Sequence, residues 1–308
     1  GSDGSPGTPL KTATTIFEQA SDGLRVKEMT VTDGLYTRKT SINYWTQLWV
    51  SLPDDIIEYE NGGSNIYRHT RIYYNTDTAY TNRHIFGVVD HTMVFQGAGE
   101  TNRISGTGYA YDETAYFDTG NFSVVQHDST NYGTGFVQGR ANLTRTSRYD
   151  PQGDIWRDFT RMTYNKTGMV TAVIDAEDHT TQLYYEDNYS VPASPPAGRA
   201  LVTRVKDADG YWSGMKFNWY TGLPVETYHI VGTDGNGAHE NTTTFTYDDS
   251  DRLQATIRPT GQTSFAYWDN WLAMAAYTAI DTGKTHYGYT AYNGAGRARW
   301  GGGDHPDG

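Results

Sequence analysis

The chain of 308 residues carries 36 acidic against 24 basic side chains, a formal net charge of −12, and no cysteine. Without cysteine it has no disulfide, no thiolate zinc site and no cysteine nucleophile. The acidic balance, with no cluster of Lys and Arg, predicts no nucleic-acid partner. No apolar run approaches the ~18 residues of a membrane helix, so no membrane insertion is expected.

The N-terminal part is interpreted as a lead followed by irregular strands. Residues 1–10 are rich in Gly, Ser and Pro and are interpreted as a cloning scar and flexible lead outside the fold. Residues 11–139 contain runs rich in Thr, Tyr, Val and Ile that are broken by Gly, Asp and Asn, the pattern of strands and turns. The run Ile66–Tyr74 predicts a strand, whereas residues 54–59 do not distinguish a helix from a strand or turn.

From residue 140 to 300 a unit of about twenty residues recurs, and each copy opens with an aromatic residue and a turn. One copy opens at Tyr164, turns at Gly168 and runs through residues 169–174 and 179–185. Another opens at Tyr247, turns at Asp251 and runs through residues 252–257 and 262–267. A short fixed period indicates a stacked or wound architecture in which no unit forms its own core.

Three segments interrupt this pattern. The Pro-rich residues 191–198 are interpreted as a loop, because proline cannot donate to a strand ladder. Residues 271–276 contain helix-forming residues but are too short for a helix, and we expect strand or turn. Residues 301–308 form a ragged end without a closing element, so we expect a fragment of a longer protein. No change in composition marks a second domain, so residues 11–308 are predicted to form one repeat domain.

The runs have the alternation of strands. Leu253, Ala255 and Ile257 share one face of their run, because successive side chains of a strand point to opposite sides. The linkers are short and rich in turn residues, which favours antiparallel hairpins over helical crossovers. The fold class predicted is all-β, an antiparallel sheet ribbon with almost no helix.

Several of these tyrosine-led turns resemble the openings of YD repeats, also called rearrangement-hotspot (RHS) repeats: Tyr149–Asp150, Tyr164–Asn165, Tyr247–Asp248 and Tyr292–Asn293. The resemblance is good over residues 140–300 and looser over 11–139. Residues 140–144 are similar to an Arg-Gly-Asn-x-Thr stretch of that family, with Ala141 in place of the glycine. At Asp251 an aspartate also replaces the usual glycine, which makes the geometry of that turn an open question.

Membership of this family would imply a β-sheet ribbon that winds in a spiral around a hollow interior. Full-length members form shells, often around a toxic C-terminal segment in bacteria, and relatives occur in insecticidal toxin complexes and animal adhesion proteins. The resemblance therefore implies a non-catalytic shell or scaffold segment. Its partners would be other segments of the same longer polypeptide, and it would be secreted by a bacterium or lie at the bacterial cell surface.

Candidate catalytic and metal sites are few. Asp-Thr-Gly triplets at residues 118–120 and 281–283 are similar to the paired carboxylates of aspartic proteases, but the second leaves too short a tail, and turns are favoured. Residues 207–210 and 234–237 are similar to parts of calcium loops but lack the late bidentate carboxylate, and Asp, Asn and Gly are ordinary turn residues. We therefore predict no catalytic residue, no metal and no cofactor. A hydrolase remains a remote alternative.

Dense aromatic pairs suggest a second function. Exposed tyrosine and tryptophan faces stack on sugar rings or on partner side chains, although the same rings can instead pack the ribbon. The alternative to a plain scaffold is therefore a carbohydrate-binding or adhesion module with glycans as partners. Its candidate binding residues are Tyr211, Trp212, Trp219, Tyr220, Trp268 and Trp271.

Overall fold

The computed structural model describes residues 11–47, 50–120, 122–191, 196–281 and 283–304. The lead at residues 1–10, most of the Pro-rich loop, Thr282 in the second Asp-Thr-Gly triplet and the last four residues lie outside the described part, as do the predictions made for them. The described chain is all-β, with 21 strands, one four-residue helix and three short 3-10 turns. This confirms the predicted fold class. Two compact units are described separately here: residues 1–120 with 128–179, and residues 121–127 with 180–308.

The first unit is a meander of ten strands in which each strand pairs antiparallel with the next. A four-residue helix, α1 (Thr78–Thr81), follows the fifth strand. The strands are β1 (Lys11–Ala20), β2 (Gly23–Asp33), β3 (Tyr36–Gln47), β4 (Val50–Tyr59), β5 (Ile66–Tyr74), β6 (Val89–Gln96), β7 (Arg103–Tyr111), β8 (Leu143–Asp150), β9 (Ile155–Tyr164) and β10 (Val170–Asp175).

The second unit contains eleven strands among its described residues. Strand β11 pairs with β13, and from β13 onward each strand pairs antiparallel with the next. The exception to the antiparallel rule is β12, which pairs parallel with β14. The strands are β11 (Thr180–Tyr184), β12 (Tyr189–Val191), β13 (Arg204–Lys206), β14 (Trp212–Asn218), β15 (Pro224–Ile230), β16 (His239–Tyr247), β17 (Leu253–Arg258), β18 (Gly261–Trp268), β19 (Ala273–Asp281), β20 (Lys284–Tyr292) and β21 (Ala298–Gly303).

The predicted runs coincide with strands. Ile66–Tyr74 is β5, and the ambiguous residues 54–59 lie within β4. Residues 269–271 form a 3-10 turn and β19 starts at Ala273, which agrees with strand or turn rather than helix for residues 271–276. The two runs of the copy that opens at Tyr247 pair as the hairpin β17–β18.

Burial follows the strand alternation only in part. In β17 Ala255 is buried, as expected for the apolar side, but Thr256 on the opposite side is equally buried and Ile257 is exposed. The hydrophobic core of the second unit is small: Trp212, Tyr228 and Ile230, with Tyr184 packed against them. Local turns and hydrogen bonds must therefore supply much of the order that a large core supplies elsewhere.

Candidate functional site

Tyrosine side chains connect neighbouring strands in both units. In the described residues six tyrosines near the end of a strand donate their phenol to a backbone carbonyl near the start of the preceding strand, with O···O distances of 2.7–3.0 Å. We call these contacts tyrosine clamps. They are Tyr44 to Val26, Tyr74 to Pro53, Tyr111 to Val89, Tyr164 to Leu143, Tyr247 to Pro224 and Tyr267 to Leu253.

The clamps are partly removed from water. Burial is the main cause that raises the pKa of the phenols of Tyr74, Tyr111, Tyr164 and Tyr247 above the ordinary value near 10. Each of these phenols therefore stays protonated and can donate across the neutral pH range. A phenol that satisfies a carbonyl at a strand end adds order without requiring a thick core.

The turns of the repeat are built alike. At five Asx residues the side-chain oxygen Oδ1 accepts a hydrogen bond from the backbone N–H four residues later, at 2.8–3.1 Å. The residue three positions after each Asx has a positive φ, between 60° and 90°. The turns start at Asn165, Asp175, Asp207, Asp248 and Asn293.

This geometry answers the question raised at Asp251. Its φ is +60°, the left-handed conformation that glycine occupies at Gly168, Gly210 and Gly296, so the turn is kept with aspartate in place of glycine. Aspartate adopts this conformation more easily than most residues. The turn interpretation of residues 207–210 also agrees with the structure, because the Asp207 carboxylate is used by the N–H of Tyr211.

A buried carboxylate organises the stretch that resembles Arg-Gly-Asn-x-Thr. Asp112, 4% exposed, accepts hydrogen bonds from the backbone N–H groups of Arg140, Ala141 and Asn142, each at 2.9 Å, and from the phenol of Tyr80 at 3.1 Å. Ala141 has a φ of +59°, which is the conformation a glycine would favour at that position. All four donors point at one side chain, so Asp112 has a structural role in this loop.

The other carboxylates flagged in the sequence lie in turns or at strand ends. Asp118 accepts from the N–H of Gly120 at 2.8 Å, and Asp234 accepts from the N–H of Asn236 at 3.0 Å. Asp281 is the last residue of β19. No group of three or more His, Asp or Glu that could hold a metal ion occurs among the residues the structure describes.

The six aromatic residues predicted to bind sugar all lie in the second unit, in unlike environments. Trp271 is 80% exposed, and Tyr220, Tyr211 and Trp268 are exposed as well. Trp219 is half-buried with its ring edge against Tyr189. Trp212 is only 5% exposed, belongs to the core cluster and donates its indole N–H to the carbonyl of Thr233 at 3.0 Å. Trp212 therefore lacks the exposed ring face that the carbohydrate hypothesis requires.

These rings do not pack against one another. Within the described part of the chain none of the six stacks on another of the six; their ring contacts are with Tyr184, Tyr189 and His229. The structure instead assembles aromatic side chains in the first unit, where no candidate was predicted.

That assembly crosses five strands. Tyr73 and His91 are directly opposite in β5 and β6 and stack with centroids 4.1 Å apart. Trp156 of β9 contacts His91 edge to face at 5.9 Å and Tyr149 at 5.5 Å. Because opposed residues of adjacent strands point to the same side, these rings share one face of the sheet. We call it the Trp156 face: Tyr73, His91, Gly106, Gly108, Ser147, Tyr149 and Trp156.

Two glycines make room for the tryptophan. A Cβ at Gly106 would lie 2.9 Å from Cη2 of Trp156, and a Cβ at Gly108 would lie 3.3 Å from Cζ3. The benzene ring of the indole thus occupies the space that side chains at positions 106 and 108 would fill. Trp156 nevertheless remains 41% exposed. Glycines two apart in a strand are the sequence signal that could have found this face, because both point to the same side.

Trp156 lines two cavities. One of 170 Å³ is lined by Tyr73, His91, Met93, Phe95, Glu100, Arg103 and Trp156. A shallower one of 270 Å³ is lined by Asp90, His91, Gly108, Tyr109, Ala110, Arg145, Ser147 and Trp156. Both are below the ~300 Å³ at which pockets for drug-sized ligands usually begin, so each fits only a small chemical group.

The guanidinium groups around this face are paired with carboxylates. Arg145 donates to Glu113 at 2.9 Å and to Asp158 at 3.2 Å, and the hydrogen bond with Glu113 raises the pKa of Arg145 above its ordinary value. Arg103 pairs with Asp154 at 3.4 Å. Arg71 lies 3.6 Å from Asp55 and 3.7 Å from Glu100. Each of these three guanidinium groups is therefore paired with at least one carboxylate, which weakens its attraction for an anion.

A histidine–aspartate pair is buried beside this face. His69 Nδ1 lies 3.0 Å from Asp55 Oδ1, both residues are buried, and the imidazole stacks on Phe95. The other ring nitrogen of His69, Nε2, is buried without a hydrogen-bond partner.

Comparisons with known proteins were made for the whole chain. No family model and no curated protein matches it. Solved structures that are similar to it include a Photorhabdus luminescens Tc holotoxin pore (10% identity, TM-score 0.43, 95% of this chain and 15% of that chain), TcdB2-TccC3 (11%, 0.44, 98% and 16%) and TcdB2-TccC3-Cdc42 (11%, 0.38, 92% and 16%). The chain spans about one-sixth of the length of these chains.

No helix in the described residues is both long enough and apolar enough to cross a membrane.

Proposed function

We propose that this chain is a non-catalytic structural segment of an RHS/YD-repeat shell or scaffold. It would associate with other segments of a longer bacterial polypeptide that is secreted or exposed at the cell surface. Together these segments would enclose or display another part of that polypeptide. The observation that carries the proposal is the repetition of the same two devices, tyrosine clamps and Asx turns, in both units. A chain built from repeated units needs supports of the same kind in each part of the fold, whereas a single catalytic centre does not require them.

The energetics support the same reading. Each strand pairs only with its sequence neighbours over most of the chain, and the core cluster of the second unit is small. Such architectures are stabilised by local repeats and nearest-neighbour contacts, so they extend without a central core. Of the two candidate catalytic carboxylates, Asp118 accepts a hydrogen bond from the backbone N–H of Gly120 and Asp281 is the last residue of β19, which supports a non-catalytic role.

A charge placed in the middle of the sheet tests this architecture. Ala275 in β19 has no exposed surface, so an Ala275→Asp substitution buries an unpaired carboxylate. Hydrogen exchange measured by mass spectrometry should accelerate in β18, β19 and β20 and leave β1 to β9 unchanged. Ala279→Asp, at an exposed position of the same strand, is the matched control. Acceleration throughout the chain by Ala275→Asp would contradict a repeat scaffold, and so would a catalytic activity of the purified chain.

Glycan recognition in the second unit is a second candidate function, favoured by the exposure of Trp271, Tyr220 and Tyr211. A glycan array probed with the wild-type chain and with a Trp268→Ala, Trp271→Ala variant tests it. Binding by wild type that the variant loses would support a recognition surface there, and equal binding by both would contradict it.

A further inference from the structure

We propose that the Trp156 face of the first unit binds a neutral carbohydrate, with a sugar ring stacked on Trp156. This site uses none of the residues predicted from the sequence, and it is independent of the scaffold role. The argument begins with the ring itself. Trp156 is held by contacts with His91, Tyr149 and the two glycines of β7, yet 41% of the residue remains in contact with solvent.

A rigid, partly exposed indole favours a ligand with an apolar C–H face. The π face of an aromatic ring carries negative charge density and attracts the weakly positive hydrogens on the apolar side of a pyranose. Gly106 and Gly108 leave room for the indole against β7, since a Cβ at either position would lie within 3.3 Å of it, and the contacts with His91 and Tyr149 hold the ring there. Little conformational entropy is then lost when a sugar stacks on it.

The polar groups around the ring suit hydroxyl groups. Ser147 donates its hydroxyl to Asp158 at 3.0 Å, and Arg145 pairs with the same carboxylate at 3.2 Å, so both are held in place beside the shallower cavity. Asp90 lies 2.7 Å from the imidazole of His91 on the same cavity. Carboxylates and hydroxyls in fixed positions can both accept hydrogen bonds from sugar hydroxyls.

The charges decide which sugars fit. Arg71, Arg103 and Arg145 are each paired with at least one carboxylate, and Asp90 adds a further negative charge. A sialic or uronic acid would meet several carboxylates, and cations that are already paired, which disfavours anionic ligands. The cavities of 170 and 270 Å³ that Trp156 lines are sized for single sugar units rather than for a folded partner.

The first test is a glycan array on which the wild-type chain is compared with a substitution of Trp156. The full chain is applied to an array of neutral hexose and N-acetylhexosamine oligosaccharides beside sialylated and uronic-acid-containing ones. Binding to neutral glycans that falls about tenfold or more in Trp156→Ala, and persists in the matched control Trp271→Ala, is the expected result.

A second measurement follows ligand binding in the wild-type chain, so it does not depend on whether Trp156→Ala folds. The wild-type chain is labelled with 5-fluorotryptophan at its eight tryptophans and titrated with lactose, cellobiose and di-N-acetylchitobiose to about 10 mM. The ¹⁹F resonance of Trp156, assigned with Trp156→Phe, should shift with saturation while that of Trp271 does not.

Three outcomes would overturn the proposal. They are no glycan binding and no shift at Trp156, binding confined to acidic glycans, and binding to neutral glycans that Trp156→Ala retains.

Discussion

Replacing Tyr164 by phenylalanine removes one oxygen from a tyrosine clamp and leaves the ring in place. Tyr164 is 9% exposed, and its phenol lies 2.8 Å from the carbonyl of Leu143 at the start of β8. A net hydrogen bond contributes about 0.5–1.5 kcal/mol, and a carbonyl left without its partner in a buried place costs about 1–3 kcal/mol. We therefore expect Tyr164→Phe to lower the local free energy of unfolding by about 1–2 kcal/mol.

Native-state hydrogen exchange is the suitable assay, because a chain with two compact units need not unfold in one cooperative step. A loss of about 1–2 kcal/mol should accelerate exchange of the amides of β8 and β9 by a factor of about 5–30. Tyr36→Phe is the matched control in the same unit, since Tyr36 is 76% exposed. Equal exchange in the two variants would refute the clamp as a stabilising contact.

The same clamp predicts alkaline sensitivity. Burial raises the pKa of Tyr164 in the folded chain above the ~10 of an unfolded chain, so the folded state holds this proton more firmly. Its contribution is fully present below pH ~10 and is lost as the pH rises through the folded pKa. The stability difference between wild type and Tyr164→Phe should therefore shrink above pH ~10, and a difference that grows there would contradict the assignment.

Three further predictions concern the loop around Asp112 in the first unit and the Asx turns of both units. Asp112→Ala leaves several backbone donors and the phenol of Tyr80 without an acceptor, and we expect a loss of about 3 kcal/mol or more in urea denaturation of the loop region. At the left-handed turn position Gly168→Ala should destabilise by about 1–2 kcal/mol, whereas Asp251→Gly should stay within about 1 kcal/mol of wild type, both measured by thermal denaturation. The hydrogen bond from Arg252 is the main cause that lowers the pKa of Asp248. The ionised Asp248 therefore contributes to the stability of the folded chain at neutral pH, and this contribution is lost as the pH falls below ~4. In an acid titration of stability, Asp248→Asn should lack this loss.

Much of this fold could be predicted because its rules act over a few residues. In the turn that starts at Asn165 the hydrogen bond spans four positions and the positive φ falls three positions on, so Tyr164 to Gly168 is readable without any partner strand. The same holds at Asp248, where the replacement of glycine by Asp251 left only the turn geometry open. Strand alternation and the scarcity of helix formers settled the all-β class in the same local way.

Which face a side chain occupies was decided by the tertiary structure. Tyr211 and Trp212 are neighbours, yet Tyr211 at the end of the turn from Asp207 is exposed, and Trp212, the first residue of β14, is in the core. The sequence identified the pair as aromatic and could not tell which member would face solvent. A single bulge changes that outcome, since a shift of one residue moves every following side chain to the other face.

The Trp156 face depends entirely on such registers. Tyr73, His91, Gly108, Ser147 and Trp156 come from five strands, and bulges follow Tyr73 in β5 and precede Ser147 in β8. The amino-acid sequence by itself determined the turns, the strands and their order, because those interactions are local. Only the pairing registers of the folded sheet brought these five residues to one side, and registers are set by the packing of whole strands against each other.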